Sequence, residues 1–241
     1  MYTIQEVMRI IHSHELAIIV MAFTTYAFGF AQYISSMVMQ IRDKECPFYF
    51  WQHAWYFGHD LTFSLLFRQW FNEVHFWLFN VLWFGCILFV MIEMVSIFYS
   101  VKYERQTIWG KYLHREVTET DGWRYGITTY IAGFVLFMLI RVAIGDPMCL
   151  ILMMSTNATL ALVTSFKLQE TNHRQKGTIA LAWFIVLGTI FTFMPKGIGF
   201  FATAIPALDA PWFTVLGVIC VLYSIRYLWI SMRLPRLVKG V

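Results

Sequence analysis

Long apolar runs separated by short polar stretches dominate the chain. Seven of them stand out, at residues 16–38, 48–67, 76–100, 123–144, 148–166, 178–194 and 211–232. Crossing the roughly 30 Å of bilayer hydrocarbon takes about 20 apolar residues. Lipid offers no water to backbone N–H and C=O groups, so each run is expected to be helical. None shows the strict alternation of a half-buried strand. The pattern therefore predicts an all-α, polytopic membrane protein: a bundle of seven transmembrane helices forming a single domain over residues 1–241. Two connections are longer than the rest. Residues 101–122 are polar and charged, and read as a loop. Residues 195–212, "PKGIGFFATAIPALDAPW", are apolar but broken by Pro195, Pro206 and Pro211, which suggests an interfacial or re-entrant segment.

Composition strengthens this picture. Only 13% of the residues are charged and 59% are hydrophobic, with a mean hydropathy of +0.61. A soluble domain carries about twice that share of charge. The placement of the basic residues sets the orientation. With the N-terminus outside, thirteen of the eighteen Lys and Arg residues fall on the inner side and four outside. Cytoplasmic loops carry this kind of excess, so the expected topology is N-terminus outside and C-terminus cytoplasmic, in a cell or endoplasmic-reticulum membrane. The N-terminal apolar run is longer than the core of a signal peptide and is expected to be retained. No basic run with interleaved aromatics suggests a nucleic-acid surface.

Within the second run, "WQHAWYFGHDLTFS" places polar groups where lipid would be expected. Helical spacing puts His53, Tyr56, Asp60 and Ser64 on one face, with Gln52 and His59 on an adjoining stripe. A lipid-facing aspartate costs about 2.5–3.5 kcal/mol on insertion scales, so this sector is expected to face the protein interior. At 1.5 Å per residue, His53 lies roughly 8 Å and Asp60 roughly 18 Å from the inner end. Glu93 in the third run and Gln32, Thr128, Thr129, Tyr130 and Arg226 fall at comparable inner depth, with Asn157, Tyr223 and Ser224 nearer the middle. These groups could line one inward-opening cavity. Each also has a plainer reading: Glu93 as a structural ion pair with Arg226, the histidines and Asn157 as bridges between helices, Arg226 as a snorkelling cation.

Familiar chemistries are mostly absent from the sequence. There is no Gly-rich phosphate loop, GxSxG elbow or HExxH helix. His12 and His14 are badly spaced for one metal, and the seventh run has no lysine for a retinal Schiff base. Cys46, Cys86, Cys149 and Cys220 form no CxxC and suggest neither a disulfide framework nor a zinc site. No metal or other cofactor is expected. Away from water the charged form of a carboxyl group is disfavoured, so Asp60 is expected to hold its proton. A protonated acid in a dry pocket is a proton donor, and the ring faces of Phe, Tyr and Trp, 19% of the chain, attract cations.

That layout resembles the small integral-membrane terpene cyclases of fungal meroterpenoid and indole-diterpenoid pathways, which have bacterial relatives. Those proteins have seven spans, an Asn-x-x-Trp-Glu signature on the second helix after a short charged loop, and an aspartate in the seventh. Here "QIRDKECPF" leads into "HAWYFGHDLTFSLLF", and Asp60 stands where the family has its glutamate. "RQKGTIALAWFIVLGTIF" and "APWFTVLGVICVLYSIRYLW" are similar in placement to the sixth and seventh helices. The sequence departs at Tyr56 for the asparagine, at His59 for the tryptophan, and in the seventh helix, which has Tyr223, Ser224 and Arg226 but no aspartate. The resemblance implies proton-initiated cyclisation of a prenylated or epoxidised isoprenoid, a lipophilic small molecule drawn from the membrane, without metal or nucleotide. Asp60 would be the acid, with Glu93, His59 or Tyr223 as its partner. His53, Tyr56, Trp55, Asn157 and Arg226 would orient the acid or line the pocket. A proton-coupled permease using Asp60, His53 and Glu93 as a relay is the main alternative, and an accessory subunit with a structural interior is a third.

Overall fold

The computed structural model describes residues 2–237, and among these there is no β-strand. Nine α-helices are used below: α1 (Ile4–Ser13), α2 (Glu15–Asp43), α3 (Phe50–Leu65), α4 (Trp77–Tyr99), α5 (Glu119–Ile144), α6 (Leu150–Thr171), α7 (Thr178–Thr192), α8 (Phe200–Ala204) and α9 (Pro211–Arg233). Among the described residues, five helices are long and apolar enough to cross a membrane: α2, α4 with its extension to Glu104, α5, α6 and α9. The other two expected spans are shorter as helices. At 1.5 Å per residue, α3 and α7 reach roughly 24 and 22 Å, because their ends are taken by turns. Pro47 precedes α3 and a π-helical turn over Gln69–Val74 follows it, while Pro195 lies just beyond α7. Lys239, one of the inner basic residues of the sequence, lies outside the described residues.

Two segments differ from the sequence expectation, α1 and the stretch after α4. Helix α1 was not anticipated, although Thr3 and Glu6 form a capping box at its start and Val7, Met8 and Ile11 are buried on one side. The polar stretch after α4 is not an open loop. The chain continues through π-helical turns at Ser100–Glu104 and Gln106–Gly110, burying Val101 and Trp109. The 195–212 connection folds as α8 and a 3₁₀ turn over Pro206–Leu208, with Phe200, Phe201, Ala204, Ile205 and Leu208 buried.

Chain contacts define two compact units, with boundaries inside α2 and α5. One combines Met1–Ser35 with Arg141–Val241. In it α9 packs on α6 and α7. The Tyr2 hydroxyl donates to Asp146, whose carboxylate also accepts the N–H groups of Leu150 at 3.0 Å and Leu152 at 2.9 Å. Gln32 donates to the Phe184 carbonyl at 2.8 Å, a contact made possible by the missing side chain of Gly188.

The other unit, Ser36–Ile140, carries the polar helix α3. Tyr49 caps its start, with the Tyr49 N–H bonded to Gln52 Oε1 at 2.9 Å. At its end the carbonyls that the helix leaves open are taken by indoles. Trp70 Nε1–H donates to the Phe63 carbonyl and Trp83 Nε1–H to that of Ser64, both at 2.8 Å. Helix α3 crosses α5 at a contact of small residues, where Gly58 and Ala54 meet Gly133. A Cβ on Gly133 would stand 2.6 Å from the Ala54 carbonyl oxygen. Gly133→Ala is therefore expected to force the two backbones apart and cost about 1–3 kcal/mol. A lowered melting temperature of the purified protein in detergent checks this.

Candidate functional site

The polar sector of α3 is buried as its spacing implies: Gln52, His53, Tyr56, His59, Asp60 and Ser64 are all below a tenth exposed. It resolves into two separate clusters. In the first, His59 Nδ1 lies 2.8 Å from Asp60 Oδ1. Asp60 is 3% exposed and His59 5%. The His59 ring sits edge-on to Phe137 at 5.7 Å and tilted against Phe63 at 6.1 Å. Phe63 in turn stacks on Trp70 at 4.3 Å, and Trp70 on Phe79 at 5.3 Å. The pair thus stands at the end of a run of aromatic faces. His59 Nε2 is buried without a hydrogen-bond partner among the described residues.

Cys86 on α4 also reaches this cluster. Donor atoms of His59, Asp60 and Cys86 lie within 4.8 Å of one another. Sequence spacing gave no sign of this trio, because Cys86 is brought to α3 only by the packing of α4. The three could supply part of a metal shell, which the sequence did not suggest.

The second cluster surrounds Glu93, which is fully buried in α4. His53 Nδ1 lies 2.9 Å from Glu93 Oε2 and 3.1 Å from Oε1. The Tyr130 hydroxyl of α5 donates to Glu93 Oε2 at 3.0 Å. On the other side of the imidazole, His53 Nε2 lies 2.8 Å from Cys46 Sγ. Cys46 belongs to the short segment between α2 and α3, and its own N–H donates to Glu104 Oε2 at 3.0 Å. Four elements of the unit thus meet on one carboxyl–imidazole–thiol line. Phe50 and Phe57 pack on the Tyr130 ring at 5.5 and 5.0 Å and close one side.

The remaining sequence candidates take other places. Tyr56 accepts a bond from Gln52 Nε2 at 3.3 Å, and Trp55 packs on Phe137 at 5.0 Å, near His59. His53 serves Glu93 and Cys46, and it is His59 that contacts Asp60. Asn157, Tyr223 and Arg226 belong to the other unit. There Asn157 Oδ1 accepts from Thr189 at 3.1 Å. Arg226 donates to Ser165 Oγ at 2.5 Å and Gln169 Oε1 at 2.6 Å, with its guanidinium over Phe166 at 4.6 Å. Tyr223 is half-buried beside the same Phe166 ring, at 5.9 Å. Thr128 is exposed and bonds back to the Arg124 carbonyl. Sequence reasoning missed Cys46, Cys86 and Glu104. The run "KECPF" offered one signal for the first of these, a cysteine outside the apolar runs and seven residues before a histidine.

Removing one partner from a buried charged pair is costly because the other is left uncompensated. Glu93→Ala is expected to destabilise the protein by about 3–5 kcal/mol. Tyr130→Phe, which removes one hydrogen bond to the carboxyl group, should cost about 1.5–3 kcal/mol. Unfolding midpoints in one detergent, falling in that order, check the ranking. Compared with protein-family models, with curated proteins and with solved structures, the chain has no match in any of the three.

Proposed function

We propose that this is a membrane-embedded enzyme of the terpene cyclase type, performing proton-initiated cyclisation of a prenylated or epoxidised isoprenoid. In this reading seven helices cross the bilayer, with the N-terminus outside and the C-terminus cytoplasmic; the excess of inner basic residues supports that orientation. The observation that carries the chemistry is the buried Asp60–His59 pair, set against aromatic faces and holding one nitrogen with no partner among the described residues.

Asp60 supplies the proton, to an alkene carbon or an epoxide oxygen. The carboxylate left behind is stabilised by the His59 Nδ1–H at 2.8 Å. The positive charge then migrates through the folded isoprenoid chain beside Phe63, Phe137 and Trp70, whose ring faces favour a cation. His59 Nε2 is placed to take the last proton as the final double bond forms. The imidazole returns that proton to Asp60 across its other nitrogen. The cycle is redox-neutral and regenerates both groups.

Purified protein in mixed micelles with polyprenylated alkenes and their terminal epoxides, followed by mass spectrometry, tests this. Asp60→Asn should reduce cyclised product by about 10²–10⁴-fold, the usual contribution of a positioned general acid, while the melting temperature stays near that of the parent. Turnover should be insensitive to chelators. Undiminished turnover in Asp60→Asn contradicts the reading, and activity lost to a chelator and restored by a divalent metal would assign the His59, Asp60 and Cys86 trio to a metal instead.

A further inference from the structure

The Glu93 cluster takes no part in the cyclase reading. We propose that Cys46 is a nucleophilic thiol which accepts a long-chain acyl group from an acyl thioester, with His53 as its general base and Glu93 as the residue that orients His53. This stands beyond the cyclase reading and does not rest on it.

The geometry is that of an activated nucleophile, in which the attacking group, its base and an orienting acid form a connected line. Cys46 Sγ is 2.8 Å from His53 Nε2, and His53 Nδ1 is 2.9 Å from Glu93 Oε2. Tyr130 fixes that same carboxylate oxygen from a third element at 3.0 Å. Backbone contacts hold the residue and its sulfur in place. The Cys46 N–H is tied to Glu104, and the Phe48 N–H points at the sulfur from 3.5 Å, where it favours negative charge. A cysteine that merely fills space needs none of these partners.

The surroundings select the substrate class. Cys46 is 4% exposed, yet it lies between exposed Lys44 and half-buried Pro47, one layer beneath the surface. On one side is the charged run ending α2; on the other are Phe48, Phe50 and the half-exposed Trp51 at the start of an apolar helix. A molecule with a polar carrier and a long alkyl chain fits such a boundary. Between acyl donors, a thioester is favoured because exchange of one thioester for another is close to thermoneutral, whereas attack on an oxygen ester runs uphill.

The step balances without any redox partner. Cys46 Sγ passes its proton to His53 Nε2 and attacks the acyl carbonyl carbon, forming a new C–S bond. The C–S bond to the donor breaks, and the departing thiolate takes the proton from His53. The products are acyl-Cys46 and a free thiol. With its sulfur shielded from water, the acyl-Cys46 thioester would persist.

The test uses the full chain in detergent micelles with palmitoyl-coenzyme A carrying an alkyne tag, and no isoprenoid present. One tag per protein is expected, located at Cys46 by peptide mass spectrometry and removed by neutral hydroxylamine. Cys46→Ser should abolish this label. His53→Ala should slow labelling about 10²-fold or more, with partial rescue by added imidazole, a readout that a purely structural histidine would not give. A parent protein that stays unlabelled, label on another cysteine, or a His53→Ala protein acylated at the parental rate would overturn the proposal. Loss of cyclisation in Asp60→Asn has no bearing on any of these outcomes.

Discussion

A carboxyl group with no solvent exposure, in the middle of a strongly apolar helix, has to be satisfied from within the protein. Glu93 is that group, and much of the unit Ser36–Ile140 is organised around it. An isolated buried carboxylate costs far more than a membrane helix can absorb, so it is either neutralised or surrounded by partners. Here α3 contributes His53 and α5 contributes Tyr130. His53 in turn reaches Cys46, whose backbone is held by Glu104. Each partner comes from a different stretch of chain. The hydrogen bonds therefore fix how α3, α4 and α5 meet, which apolar packing alone specifies weakly in lipid. Once α3 is fixed at His53, its helical repeat also fixes His59 and Asp60 two turns further on.

The two clusters differ in what their surroundings allow. Glu93 is bonded by both His53 and Tyr130, whereas Asp60 pairs with a histidine that has a buried nitrogen to spare. The first arrangement suits orientation and relay, the second suits giving and taking a proton. Their aromatic neighbours differ as well. Phe50 and Phe57 pack on the Tyr130 ring of the Glu93 cluster, while Phe63, Trp70 and Phe79 stack in series away from His59. A series of ring faces is the form of surface along which positive charge can be carried.

Much of this could be read from the sequence, because membrane helices are announced by run length and apolarity. The positions of α2, α4, α5, α6 and α9 follow directly from those runs, and the burial of the α3 polar sector follows from the cost of exposing Asp60 to lipid. What escaped was set by local chemistry within the runs. Helix α3 is shortened by Pro47 and by the π-helical turn beginning at Gln69, and α1 rests on a Thr3–Glu6 capping box whose signature is short. The continuation of α4 through Trp109 escaped because the charged residues that mark it as a loop lie on turns whose apolar side is buried. Of the partners of His53, Asp60 and Glu93, only His59 was among the sequence candidates, as one of three for Asp60. Spacing gives depth along a helix but not the direction in which it faces its neighbours, so Cys46, Cys86 and Tyr130 met their partners only through tertiary packing.

The central claim is that a buried acid transfers a proton to an alkene carbon or an epoxide oxygen inside the protein. Isotope incorporation reads that transfer directly. When the protein turns over a polyprenylated alkene in deuterium oxide, the cyclised product should carry one non-exchangeable deuterium at the carbon where cyclisation begins. A cyclised product formed from the alkene without that label, or no cyclised product from any of the alkenes and epoxides supplied, would contradict the account.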